Sequence, residues 1–160
     1  MTTTLPLANT LHRATLDALR QQAPFSLMTE EEGLWLVQRL AVAYYAQGES
    51  LLEPADTTPA SLFIIKQGTV DGVTADGHSA FQLTVGEMFP LGALLAGRGV
   101  SNRYLAHADT FCYLLPAADF HTLMAKSAEF KDFCTRRIAS LLVESQRAVQ
   151  AEYALALDDE

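Results

Sequence analysis

Pro90 to Arg103 holds the residue types that can grip a small anion. Leu91 to Ala96 is a short helix-capable run, and Gly92, Ala93 and Leu94 lie in its first turn. The first amides of a helix lack internal partners and carry the positive end of its dipole, so they attract phosphates and carboxylates. Pro90 suits the first helical position, where its missing N–H is no loss. Arg98, Ser101, Asn102 and Arg103 follow in a loop punctuated by Gly97 and Gly99. Guanidinium groups stay charged and present a planar fork of donors that matches a phosphate. Ser101 and Asn102 add neutral donors. A competing reading makes one arginine a solvated loop charge, pairs the other with a carboxylate, and gives the helix a packing role alone. In either case the chemistry is recognition, not bond-breaking.

Other chemistries find less support. A metal enzyme built on a double-stranded barrel, of the cupin kind, needs clustered ligands such as His-x-His with a nearby glutamate. His78-Ser79-Ala80 does not supply this, and His12, His107 and His121 are dispersed. Cys112 and Cys134 fit no disulfide framework and no metal spacing, so they read as reduced, buried thiols. No serine or cysteine carries the local pattern of an activated nucleophile. No catalytic residue and no metal ligand is assigned, and the chain reads as a non-enzyme. A net charge of −8 argues against a broad nucleic-acid-binding surface. No apolar run reaches membrane-spanning length and no signal-peptide pattern opens the chain, which implies a cytoplasmic protein.

The elements that must position the anion-binding stretch follow from periodicity. With 160 residues, 49% of them hydrophobic, one domain with a sizeable core is expected. Thr2 to Ala8 reads as a loose leader. A first helix spans about Asn9 to Gln22. A second starts at Thr29, with Glu32 completing a capping box. Short strands then alternate with turn signals. They are Ala41–Tyr45, Ser50–Leu52, Ser61–Lys66, Thr69–Thr74, Ala80–Val85, Tyr104–Ala108 and Thr110–Leu115. Asp76-Gly77 marks a hairpin. A short helix follows Pro116. From about Ala128 to about Leu157 an apolar stripe (Phe130, Phe133, Cys134, Ile138, Leu141, Leu142, Ser145, Ala148, Val149) predicts one long helix. The fold class is α+β, mainly β: an antiparallel double-stranded β-helix or jelly-roll barrel, with N-terminal helices and a long C-terminal helix. The division is 1–33 for leader and helix, 34–127 for the barrel, and 128–160 for the C-terminal helix. That helix exceeds what a small barrel covers, so it either pairs with a second copy or leads to a further domain. The chain ends without a helix-stop signal, as expected of a piece of a longer protein.

The stretch around Phe89, Ala93, Leu94, Leu95 and Ala106 resembles the phosphate-binding cassette of cyclic-nucleotide-binding domains. That family carries Phe-Gly-Glu-(Leu/Ile)-Ala-Leu-Leu, four residues, then Arg-(Ser/Ala)-Ala and a Val-x-Ala strand. Gly48-Glu49, the run Ile64 to Val70 and Gly86 extend the resemblance, which covers roughly Leu34 to Phe133. It implies a regulatory module whose ligand is a cyclic nucleotide or another nucleotide. The family's ribose-binding glutamate falls on Leu91, its phosphate-binding arginine on Val100, and the glycine before the glutamate on Pro90. A desolvated, unpaired sugar hydroxyl costs on the order of 1–3 kcal/mol, and losing a charge-assisted phosphate contact costs more, so binding weakens by at least ~100-fold. Weak or no binding of cyclic AMP or cyclic GMP is therefore expected, unless Arg98 or Arg103 compensates. The chain looks most like the N-terminal domain of bacterial signalling proteins that also carry a CBS-domain pair and a nucleotidyltransferase-like domain. The alternative is a structural or dimerisation module with an occluded pocket. The chain's expected partners are a nucleotide ligand, a second copy through the last helix and further domains of the same protein, with no nucleic acid and no membrane.

Overall fold

A computed structural model describes residues 3–6 and 11–158. Two antiparallel sheets face each other, and the helices cover the outer side of one of them. The first sheet holds β1 (Thr3–Pro6), β2 (Ala41–Tyr45), β4 (Ser61–Gln67), β7 (Met88–Phe89) and β9 (Thr110–Pro116), in the order β1-β2-β9-β4-β7. The second holds β3 (Ser50–Leu52), β5 (Val70–Val73), β6 (Ser79–Leu83) and β8 (Arg103–Ala106), in the order β3-β8-β5-β6. The α+β class and the jelly-roll-like arrangement match the expectation, but the barrel does not. Among the described residues no hydrogen-bonded ladder joins the sheets. Edge strands of three residues (β3) and two (β7) are too short to carry pairing around a corner.

The strand sequences explain the layering. Side chains alternate across a strand, so one with both faces covered reads as an unbroken apolar run. In β4, Leu62 and Ile64 join the helix-side core, whereas Phe63 and Ile65 join the core between the sheets. β9 divides likewise, with Tyr113 and Leu115 on the helix side and Cys112 between the sheets.

Helix α1 (His12–Leu19) buries Leu16 and Leu19, and α2 (Glu30–Val37) buries Leu36 and Val37. The capping box at α2 is present: the Glu32 amide donates to Thr29 Oγ1 at 3.1 Å, and the Thr29 amide donates to Glu32 Oε1 at 2.9 Å. Helix α3 (Leu91–Ala96) lies between β7 and β8. It is followed along the chain by α4 (Ala117–Lys126) and α5 (Ala128–Asp158). Phe120 and Leu123 of α4 and Phe130 and Cys134 of α5 are fully buried. Each such side chain contributes roughly 1.5–3 kcal/mol of apolar burial if large. Ser127 Oγ accepts the Phe130 amide at 3.2 Å and opens α5. Past Ile138 the helix leaves the core: Leu141, Leu142 and Val143 are 43%, 61% and 44% exposed. Ser145, Ala148 and Val149 of the predicted stripe lie outside the described side chains.

Several boundaries differ from the sequence reading, among them these four. Thr3–Pro6, within the expected loose leader, is a strand paired antiparallel to β2. Helix α1 stops at Leu19, not Gln22. Met88–Phe89 pairs with Phe63 and Ile64 as a two-residue strand. β8 begins at Arg103, so that arginine belongs to a strand and not to the loop. The three strand differences are set by pairing partners, which local periodicity does not report. Among the described residues, no helix is long and apolar enough to cross a membrane.

Candidate ligand-binding site

The anion-binding stretch runs from β7 through α3 to β8. Pro90 is the residue before α3, in extended conformation, so Leu91 and not Pro90 takes the first helical position. Leu91 is 4% exposed and packs in the helix-side core with Met88, Leu94, Phe130 and Cys134. Gly97, at φ +66°, ends α3 in the left-handed region that favours glycine. The Arg98 amide donates to the Ala93 carbonyl at 3.1 Å and closes the turn.

The proposed contact residues do not all face one place. Gly92 is exposed with open space beside its Cα, while Ala93 and Leu94 are buried. Arg98 is exposed, and its guanidinium has no hydrogen bond or ion pair among the described residues. Ser101 is exposed and Asn102 half-buried. Arg103 Nε donates to Glu53 Oε2 at 2.7 Å, with both side chains about half exposed. Its neighbour Tyr104 points the opposite way, into the space between the sheets. Arg103 is therefore committed to a carboxylate on the outer face. The β3–β4 loop closes over the arginine loop: a Cβ at Gly99 would overlap the Ala55 carbonyl oxygen.

Aromatic rings fill the space between the sheets. Phe63 and Phe89 stack with centroids 4.9 Å apart and planes at 12°. Phe89 and Tyr104 stack at 4.9 Å and 8°. Phe81 meets Tyr104 edge-on at 5.7 Å and lies against Gly72, and Tyr45 meets Phe63 at 6.3 Å. Each ring comes from a different strand, so the ladder Tyr45–Phe63–Phe89–Tyr104–Phe81 ties both sheets to the cassette. Burial raises the Tyr104 hydroxyl above its usual range and pushes Tyr45 up to about 12. No sequence pattern marks these five as a group, because only the strand register brings them together.

Burial pushes the Cys112 and Cys134 thiols up to about 12, which keeps them protonated and unreactive at neutral pH. Among the described residues no group of three or more His, Cys, Asp or Glu is placed to hold a metal. His107 Nδ1 lies 2.7 Å from Asp71 Oδ2, and His78 Nδ1 lies 3.1 Å from Asp76 Oδ2.

By sequence, no protein-family model and no curated protein matches the chain. Solved structures do match its fold. The regulatory domain of Toxoplasma gondii PKA, crystallised with cAMP, superposes with a TM-score of 0.73 at 14% identity, over 83% of this chain and 51% of that one. A cyclic nucleotide-binding domain from Methylobacillus flagellatus gives 0.68 at 18% identity, over 92% of this chain and 84% of that one. The regulatory subunit of a cAMP-independent protein kinase A from Trypanosoma brucei gives 0.61 at 15% identity, over 79% and 52%. The chain spans about half the length of the kinase regulatory chains it matches. Its fold is that of cyclic-nucleotide-binding regulatory domains.

Two substitutions separate the ladder from the arginine loop. Phe89→Ala removes the central ring and is expected to cost about 3–5 kcal/mol in urea unfolding. Arg103→Ala breaks an exposed pair and should leave the unfolding midpoint nearly unchanged. Equal effects from the two would show that the ladder is not what holds the sheets together.

Proposed function

We propose that this chain is a non-catalytic regulatory module of the cyclic-nucleotide-binding fold that does not take up cyclic AMP or cyclic GMP at ordinary concentrations. One observation carries the reading: the aromatic ladder occupies the space between the two sheets. Two features reinforce it. Leu91 replaces the ribose-binding carboxylate and packs toward the helices. Arg103 is held by Glu53. A nucleotide entering here must separate stacked rings worth about 0.5–1.5 kcal/mol per pair beyond their burial, and it gains neither family contact in return. A second reading keeps a small-anion site at Arg98, Ser101 and the open amide of Gly92. The unpaired guanidinium and the free space at Gly92 favour it.

Output in this proposal runs through α5. The proposed division is 1–33, 34–127 and 128–160, in a cytoplasmic protein. Leu141, Leu142 and Val143, exposed on α5, would pair with a second copy or meet an attached domain, such as the CBS pair and nucleotidyltransferase-like domain of the resembled signalling proteins.

Isothermal titration with cyclic AMP, cyclic GMP and AMP tests the pocket. No saturable binding is expected up to about 1 mM, a free energy of only about −4 kcal/mol. Micromolar binding of either cyclic nucleotide would sink the occluded-pocket reading, whereas AMP binding lost in Arg98→Ala would select the anion-loop reading. Light scattering tests the pairing. A dimer that Leu142→Glu converts to monomer is the expected result, and a wild-type monomer at high concentration would remove the second copy.

A further inference from the structure

Outside the sandwich, a cavity of about 200 Å³ lies between the C-terminal end of α1 and the Lys66 end of β4. Its walls are mostly apolar: Leu19, Phe25, Val85 and Tyr113. Lys66 is the only charged side chain among the lining residues. Its Nζ is 5.7 Å from the Tyr113 ring centroid, and the ammonium has no carboxylate partner among the described residues. Lys66 and Val85 are exposed, so the cavity opens to solvent beside them. Next to Val85 the wall is the Gly86 turn, against which the Gln22 amide packs so closely that a Cβ at Gly86 would overlap it.

We infer that this cavity is a binding site for a single-ring aromatic carboxylate. Size and charge support this. An apolar cavity of about 150 Å³ lined by aliphatic and aromatic side chains takes up benzene. The present one therefore admits a ring with one small substituent. Tyr113 and Phe25 offer aromatic faces and edges for the ring, and Leu19 and Val85 cover its rim. The carboxylate then meets the Lys66 ammonium, a cation at an apolar mouth that lacks a counter-charge. An amine of the same shape would meet repulsion there. The ring would also lie against the turn that carries Glu87, whose carboxylate is 3.6 Å from Arg137 of α5. If the regulatory reading holds, occupancy of this cavity is a route from a ligand to α5. The binding itself does not depend on that reading.

The test is a titration of ¹⁵N-labelled protein followed by amide shifts. Benzoate is the probe, with benzylamine and hexanoate as comparisons. Saturable shifts are expected at residues 18–25, 65–66, 85–86 and 113. Benzylamine and hexanoate should each bind at least about tenfold more weakly, a difference of about 1.4 kcal/mol. Lys66→Glu, at an exposed position, should weaken benzoate by about tenfold or more. Ala18→Phe, at an exposed position of α1 that lines the cavity, should abolish binding while leaving the spectrum of the rest of the chain intact. Equal binding of benzylamine would overturn the carboxylate assignment, and equal binding of hexanoate the ring assignment. Shifts confined to the arginine loop, or none below about 50 mM, far weaker than the ~1 mM that marks weak binding, would overturn the site. None of these outcomes bears on whether cyclic AMP enters the sandwich.

Discussion

Stacking between Phe63, Phe89 and Tyr104 is the contact on which the rest of the structure depends. Phe63 belongs to β4, an inner strand of one sheet, Tyr104 to the other sheet, and Phe89 to the two-residue strand that launches the cassette helix. Two sheets that share no ladder must be held by what lies between them. Here that filling is three rings with near-parallel planes, packed among side chains such as Ile65, Val70 and Leu83. It fixes β7, hence the direction in which α3 leaves Pro90, hence the burial of Leu91 toward the helices. A carboxylate at position 91 would be desolvated among Met88, Leu94 and Phe130 without a partner.

The arginine loop is lightly held by comparison. Arg103 is fixed by one exposed carboxylate, Gly99 by close approach of the Ala55 backbone, and Arg98 by no side-chain partner among the described residues. On the other side, α4 and α5 begin on fully buried Phe120 and Phe130. α5 then runs beyond Ile138 with Leu141, Leu142 and Val143 in solvent. The module thus combines a rigid centre, a loosely tied loop and a helix that presents uncovered apolar surface. The Glu87–Arg137 contact connects the β6–β7 turn to that helix.

Much of the fold was legible because its determinants are local. Asp76-Gly77 marks its hairpin, Thr29 and Glu32 their capping box, and Leu62 to Ile65 a strand covered on both faces. The run Leu91–Ala96 was read to the residue, although Pro90 precedes the helix instead of taking its first position. Thr3–Pro6 was not legible, since a short polar segment becomes a strand only when the β2 edge is there to pair with. The site was read less well for the same reason. The seven residues from Gly92 to Arg103 were selected by type and spacing, but direction depends on register. Arg103 is the first residue of β8, which turns it outward and turns Tyr104 in. The ring ladder draws on five strands, and no window of sequence contains it.

The most direct test is to record ring-to-ring nuclear Overhauser effects in protein with labelled aromatic side chains, with and without millimolar cyclic AMP. Contacts from Phe63 to Phe89 and from Phe89 to Tyr104 should be present without ligand and unchanged with it. Loss of those contacts, with new ones from the Phe89 or Tyr104 ring to the adenine, would mean that the rings are a gate and that the interior is a working nucleotide pocket.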